Sequence, residues 1–333
     1  MKRLFLLLAV VGMLFTACVE GGANEQPTPT EPEYVTVSLG LNVGLDYGYE
    51  PLSRAEENND LYGIQVYSTP YPATENAEWT KYAYGLFDST DNLTIKLIRG
   101  YEYKFVATMV KDGKNKMLYN GYYGTYGSPF RHEESDGYTT TQLSMSFIYG
   151  QLGMDLSTGN TELNDGRVYH PNVERYYGEL EGYIPGDNDS KATIELKRIS
   201  FGVKYIANGD YAENGILEIL MDNAPQLNLN LAENNEVSEI YTFKNVPAAW
   251  LDENYTETIA VTLRIAYSDG STAPLGTHDI TFKRNITTVV NVDLTVSGDS
   301  GVGFVVSGSG EMPDGDEITI KDGEIVDTEI EAN

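Results

Sequence analysis

Hydrophobic and polar residues alternate strictly through one segment near the start of the chain. Apolar side chains fall on the odd positions from 35 to 45, and polar residues or glycine fall on the even positions between them. A period of two places successive side chains on opposite faces, so this pattern predicts a β-strand with one buried face. The apolar positions of this predicted strand are Val35, Val37, Leu39, Leu41, Val43 and Leu45.

Shorter runs of the same kind recur along the chain, and no comparable helical pattern appears. Turn dipeptides such as Asp112-Gly113 and Asp269-Gly270 lie between the runs and supply the positive φ that tight hairpins require. We therefore predict an all-β fold built from two tandem antiparallel β-sandwich domains of transthyretin-like or Ig-like type. The further predicted strands are 62–67, 93–97, 101–109, 143–147, 194–206, 216–220, 259–265, 280–282, 290–296 and 318–320.

A glycine-bearing stretch at 150–175 interrupts this rhythm, and we place the domain boundary there. The length of 333 residues fits two domains, at about 100 to 200 residues per domain. We predict an N-terminal sandwich at 34–160, in which 34–46 is a removable first strand, and a C-terminal sandwich at 172–333.

The N-terminus has the pattern of an export signal. Lys2 and Arg3 precede an apolar run at 4–15, which is shorter than the roughly 20 residues that a bilayer span requires. Small residues then lead to Cys18, and this ending resembles the lipobox of bacterial lipoproteins. The resemblance implies that the signal peptide 1–17 is cleaved and that Cys18 receives palmitate-type acyl chains. Such chains hold a protein on a membrane.

Residues 18–33 follow as a predicted lipidated tether. The stretch contains three prolines and almost nothing to bury. Proline-rich chain extends by about 3 Å per residue, so the tether could hold a domain roughly 40 Å from the membrane.

Composition narrows the classes of function. The chain has 22 Lys and Arg against 50 Asp and Glu, a formal net charge of -28, which argues against nucleic-acid binding. The single Cys can form neither an internal disulfide nor a thiolate zinc site. His132, His170 and His278 lack metal-binding spacing, and we expect each to be a solvated loop or edge residue. We predict no enzyme activity, no metal and no cofactor.

Arg54 marks a candidate processing site. It is the only basic residue between Arg3 and Lys81, and it lies in a polar loop that also contains a proline. Exposed polar loops are preferred sites of proteolysis. We therefore predict cleavage between Arg54 and Ala55.

The order of lipobox, tether, isolated alternating strand, Arg54 and second strand resembles the fimbrillin family, the lipoprotein precursors of type V pili. The stretch from Leu61 to Tyr67 matches the start of the mature pilin, and the Lys-Arg strand from Ile194 matches another family strand. The resemblance implies transport to the outer-membrane surface, removal of the first strand by an Arg-specific protease, and a groove that accepts a strand from another pilin subunit.

Two features leave alternatives open. Residues 303–333 contain a candidate donor strand, which could equally be an ordinary closing strand of the second domain. The chain could also be a surface glycan-binding lipoprotein of a polysaccharide-uptake system, with Trp79, Trp250 or the tyrosine-rich loop 119–126 as the sugar platform. Its partners would then include a host or glycan ligand.

Replacing Cys18 tests the lipid anchor. We expect Cys18→Ala to move the protein out of the membrane fraction, because the tether has no other apolar anchor. Fractionation and labelling with radioactive palmitate measure this. Palmitate on the Ala variant, or unchanged membrane retention, would count against lipidation.

Overall fold

The structure is a computed structural model that describes a defined part of the chain. The described residues are 32–43, 59–72, 77–117, 119–120, 125–127, 129–130, 139–140, 146–147, 162–163, 166–186, 191–209, 215–294, 303–307, 318–321 and 324–327.

The described chain is dominated by β-strands, as predicted. Its short helices are α1 (Gly113–Lys116) and α2 (Val246–Leu251). The strands of the first part are β1 (Tyr34–Val43), β2 (Leu61–Pro70), β3 (Thr80–Phe87), β4 (Thr94–Ile98), β5 (Tyr101–Val110), β6 (Tyr119–Asn120), β7 (Thr125–Tyr126), β8 (Thr139–Thr140), β9 (Ser146–Phe147), β10 (Glu162–Leu163) and β11 (Gly166–Arg167). The later strands are β12 (Arg175–Tyr183), β13 (Lys191–Arg198), β14 (Ser200–Asn208), β15 (Gly215–Met221), β16 (Leu227–Asn230), β17 (Glu236–Thr242), β18 (Thr256–Tyr267), β19 (Thr272–Lys283), β20 (Thr287–Asp293), β21 (Gly303–Ser307), β22 (Ile318–Lys321) and β23 (Glu324–Asp327).

The largest sheet has eight strands in the order β3-β2-β5-β12-β13-β1-β4-β9. Its central neighbours β12 and β13 share only two residue pairs, Tyr176 with Arg198 and Tyr177 with Lys197. The sheet divides there into one leaf of β3, β2, β5 and β12 and a second leaf of β13, β1, β4 and β9. Buried side chains from both leaves form one core cluster, so the leaves enclose a shared interior.

A glycine allows β12 and β13 to cross closely. A Cβ atom built on Gly178 would lie 2.1 Å from the carbonyl oxygen of Glu195. No side chain fits at that distance. The crossing therefore depends on the missing side chain of Gly178.

The later strands form a six-stranded sheet, β17-β14-β20-β21-β22-β23, and a four-stranded sheet, β16-β15-β18-β19. Phe201 on β14 lies at the centre of their core, with its ring 4.6 Å from that of Phe243 and 4.8 Å from that of Phe282. The same apolar cluster continues to β2, β3 and β5, and Trp250 on α2 contacts Tyr177 on β12 at 5.8 Å between ring centres. The two halves are thus joined by packed side chains.

The change from one set of sheets to the next falls at Ile199. Residues 175–198 form β12 and β13, which pair with β5 and β1 of the first part. Only Ile199 separates β13 from β14, so the predicted strand 194–206 is divided between two sheets. The buried apolar positions change from even numbers, ending at Leu196, to odd numbers, beginning at Ile199, and this change of phase across Lys197 and Arg198 marks the division.

One predicted turn is also corrected. Asp112 has the expected positive φ of 53°, but Gly113 begins α1 and not a second hairpin strand. A Cβ atom built on Gly113 would lie 2.9 Å from the Cβ of Leu61, so the start of α1 lies close against β2 only because residue 113 is glycine.

We expect Gly178→Ala to lower the free energy of unfolding by about 2–3 kcal/mol, because the new methyl group overlaps a backbone oxygen. Urea denaturation measures the change. Gly186→Ala is the matched control, since a Cβ there meets nothing within 4 Å. Equal stability of the two variants would show that β12 and β13 do not need this close approach.

Candidate functional site

Strand β1 joins two strands that do not otherwise pair. Its first half, Tyr34–Ser38, pairs antiparallel with β4, and its second half, Ser38–Val43, pairs parallel with β13. Ser38 is the residue with a partner on each side, and the amide of Leu39 donates to the carbonyl of Leu93 at 2.9 Å. The first strand therefore completes the second leaf of the sheet.

The inner face of β1 carries the alternating apolar residues. Val37 is 0% exposed and Leu39 is 5% exposed, while Val35 and Leu41 are half-buried against the same core. The intervening Thr36, Ser38 and Asn42 are exposed. Leu45 and the side chain of Val43 lie outside the described residues, so the structure places four of the six predicted groove-filling side chains.

Each inward residue of β1 has an apolar neighbour across the sheet. The pairs are Val35 with Leu97, Val37 with Ile95, Leu39 with Ala192 and Leu41 with Ile194. On the outer face, the Asn42 side chain donates to Glu195 Oε2 at 2.8 Å. Loss of β1 would uncover these apolar neighbours and leave backbone groups on β4 and β13 without partners.

Two tyrosines of the opposite leaf close the other edge of β4. The Tyr103 hydroxyl accepts from the Ile98 amide at 2.7 Å and donates to the Ile98 carbonyl at 2.9 Å. The Tyr82 hydroxyl donates to the Lys96 carbonyl at 2.6 Å. Tyr103 lies on β5 and Tyr82 on β3, so both phenols reach across the core to β4.

Backbone alternation explains why these bonds do not compete with β1. The amide and carbonyl of successive residues in a strand point to opposite edges. Lys96 and Ile98 bond the phenols on one edge, which leaves Leu93, Ile95 and Leu97 facing β1. The groove that β1 fills is thus open along one edge of β4.

The two phenols form a pair with defined chemistry. Their rings meet edge to face with centres 5.1 Å apart. Burial raises the pKa of Tyr82 and of Tyr103, so both hydroxyls keep their protons at physiological pH. This pair was not predicted from the sequence. The available signal was the Tyr-X-Tyr pattern that begins at Tyr82 and again at Tyr101.

The predicted modification and cleavage sites, Cys18, Arg54 and Ala55, lie outside the described residues. The candidate donor segment 303–333 is described in part. There β21 pairs antiparallel with β20, β22 with β21, and β23 with β22. These strands extend the sheet of their own chain, which is the arrangement of a closing segment.

The candidate sugar-binding aromatics occupy different settings. Trp79 is half-buried just before β3, and Trp250 is half-buried with its ring against Tyr177. Of the tyrosine-rich loop, residues 119–120 and 125–126 form β6 and β7, and 121–124 lie outside the described residues. Trp250 therefore serves the core contact between the two halves.

One histidine differs from the prediction. His170 is buried, with Nδ1 3.3 Å from the Thr242 carbonyl and Nε2 3.4 Å from Glu257 Oε1. It is buried because the segment before β12 is held by backbone bonds to Asn223. His278 is half-buried on β19, and His132 lies outside the described residues.

Metal and membrane signals can be assessed within the described ranges alone. There, no group of His, Cys, Asp and Glu has the arrangement of a metal site. No helix among the described residues has the length and apolar character needed to cross a membrane.

No protein-family model and no curated protein matches the sequence. A fimbrial assembly protein from Parabacteroides distasonis is similar in structure at 10% identity, covering 86% of this chain and 99% of that one, with a TM-score of 0.35. A candidate polysaccharide-binding protein from Bacteroides thetaiotaomicron is 11% identical, and the match covers 89% of this chain and 98% of that one with a TM-score of 0.36. The fimbrial anchor protein from Porphyromonas gingivalis is 10% identical, and the match covers 84% of this chain and 98% of that one with a TM-score of 0.37. At these TM-scores the similarities do not define the function of this chain.

We expect Leu39→Ala to lower the free energy of unfolding by about 2–5 kcal/mol, because it removes buried apolar volume from β1. Thermal and urea denaturation measure this. Leu251→Ala, at a side chain that is 72% exposed, is the control and should change stability by less than about 0.5 kcal/mol. A neutral Leu39→Ala variant would mean that β1 does not stabilise the core.

Proposed function

We propose that this chain is a structural or adhesive subunit of a cell-surface pilus, assembled by strand exchange after cleavage at Arg54. The observation that carries the proposal is the position of β1. This strand completes one leaf by pairing with both β4 and β13, and a lone arginine lies in the polar sequence that follows it.

The energetics of an empty groove support strand exchange. Removal of β1 would expose the apolar side chains of Ile95, Leu97, Ala192 and Ile194 together with unpaired backbone groups. Unpaired strand edges readily accept another strand, whose backbone satisfies the hydrogen bonds while its side chains fill the alternate pockets. A strand from a second subunit fits both requirements, so cleavage would make polymerisation favourable.

The N-terminal sequence supports export and anchoring of the subunit. In our proposal, residues 1–17 direct export, Cys18 carries the lipid at the outer-membrane surface, and the proline-rich tether presents the domain. Cleavage at Arg54 would separate this anchor from the subunit that enters the pilus. The partners are other pilin subunits, in a homopolymer or a heteropolymer.

Exposed aromatic rings favour glycan binding as a second candidate function. Tyr34 is 52% exposed and Tyr71 is 48% exposed. Both lie near the β4–β5 turn, since Tyr34 pairs with Ile98 and the Tyr71 amide donates to the Gly100 carbonyl at 2.9 Å. Aromatic rings combine an apolar face with a polar tip, which suits stacking on a sugar ring.

Limited proteolysis tests strand exchange. We expect a small amount of arginine-specific protease to cut first at Arg54, after which the trimmed protein loses the segment that ends there and forms ladders of oligomers. The uncut protein should remain monomeric. Size-exclusion chromatography and N-terminal sequencing measure both steps.

Two variants sharpen this experiment. Arg54→Ala should resist the first cut and fail to polymerise while keeping its fold. Arg54→Lys should resist the arginine-specific protease yet be cut by trypsin and polymerise, which separates cleavage from any other role of the side chain. A cut protein that stays a stable monomer with β1 bound would contradict strand exchange and favour the glycan-binding function.

A further inference from the structure

The position of β4 depends strongly on β1. Strand β4 forms five residue pairs with β1, from Tyr34–Ile98 to Ser38–Thr94, and two pairs with β9. Departure of β1 would therefore remove most of the strand pairing of β4. If β4 then moved inward, the groove would close before another strand could enter.

The tyrosine bonds to β4 do not involve β1. All three join the opposite leaf to the edge of β4 that faces away from the groove. The Tyr103 side chain is fully buried, and breaking its bonds would leave the Ile98 amide and carbonyl without partners. Ile98 is half-buried, and an unpaired backbone group there is unfavourable, so the Tyr103 bonds persist when β1 leaves.

We propose that Tyr82 and Tyr103 are positioning residues that hold β4 in place beside the position of Tyr34–Ser38 while the groove is empty. This inference rests on the proposed strand exchange and adds the means by which the groove stays ready for its donor. Preorganised binding sites gain affinity because the partner need not supply the free energy of opening them.

The same bonds restrict where a donor can pair. Because the phenols occupy the outer-edge groups of Lys96 and Ile98, those groups are not free to bond an incoming strand. When β1 is absent, the backbone groups that face the groove on this side are those of Leu93, Ile95 and Leu97. Tyr82 and Tyr103 thus direct the donor to the place of β1.

The lone cysteine makes this proposal measurable. Protein expressed without residues 1–17 carries a single thiol, Cys18, in the segment that a cut at Arg54 would release. A fluorophore on Cys18 reports release of that segment as a fall in anisotropy upon dilution. An excess of unlabelled peptide 34–43 prevents rebinding and gives the dissociation rate.

We expect the severed segment to bind the Tyr82→Phe, Tyr103→Phe double variant with a Kd at least tenfold higher than in the wild type. Phenylalanine keeps the rings and removes only the hydroxyls. Tyr103→Phe alone should have a larger effect than Tyr82→Phe alone, because its hydroxyl makes two of the three bonds. Tyr101→Phe, a neighbour on β5 whose hydroxyl bonds neither Lys96 nor Ile98, should leave the Kd unchanged.

A purely structural role gives a different result. If the hydroxyls only stabilise the fold, the double variant loses stability before cleavage but keeps the wild-type Kd. The removed bonds then contribute equally to the free energy of the filled and of the empty groove. Hydrogen exchange adds a second measurement. The Ile98 amide should stay protected in cut wild-type protein, because its bond to the Tyr103 hydroxyl does not involve β1, and loss of that protection on cleavage would contradict the positioning role.

The outcomes separate the inference from the proposed function. Equal Kd values for the double variant and Tyr101→Phe, with normal release in the wild type, would overturn the positioning role and leave strand exchange standing. A wild-type segment that is never released, even with excess peptide, would overturn both.

Discussion

The first strand supplies backbone hydrogen bonds to two strands that do not otherwise meet, and the first part of the molecule depends on this. A buried strand edge must find partners for its amides and carbonyls, because unpaired groups are unfavourable. β4 needs these partners beside the first half of β1, and β13 needs them beside the second half. One segment, Tyr34–Val43, satisfies both, so the loss of this one strand would leave both neighbours unpaired at once.

The groove exists because β13 pairs with β12 only at its end. Lys191–Leu196 lie beside β1, and only Lys197 and Arg198 pair with β12, where Gly178 permits the close crossing at the Glu195 carbonyl. The chain then continues through Ile199 into β14 of the next sheet. One wall of the groove, β13, is therefore covalently continuous with the core around Phe201, whereas β4 is also bonded to hydroxyl groups from β3 and β5.

The sequence was most informative where one strand face is buried and the other is exposed. The alternation around Val37 and Leu39 predicted β1 almost to its ends, and the predicted all-β class is confirmed. β12 was missed because its tyrosines, glycines and glutamates do not alternate in polarity. The pairing of β1 with β13 joins residues about 150 positions apart, such as Ser38 and Lys191, and no local pattern encodes such a contact. The hydroxyl bonds of Tyr82 and Tyr103 are likewise tertiary.

The staggered pairing of β1 also has a mechanical consequence. Its first half is bonded to β4, its second half to β13, and Ser38 is where the two sets meet. Because inter-strand bonds run across the strand, a pull along its axis strains every bond of a set together and does not open them one after another. A strand held in this slot is therefore suited to resist tension, and a fibre built on such joints would transmit force from one subunit to the next without unzipping.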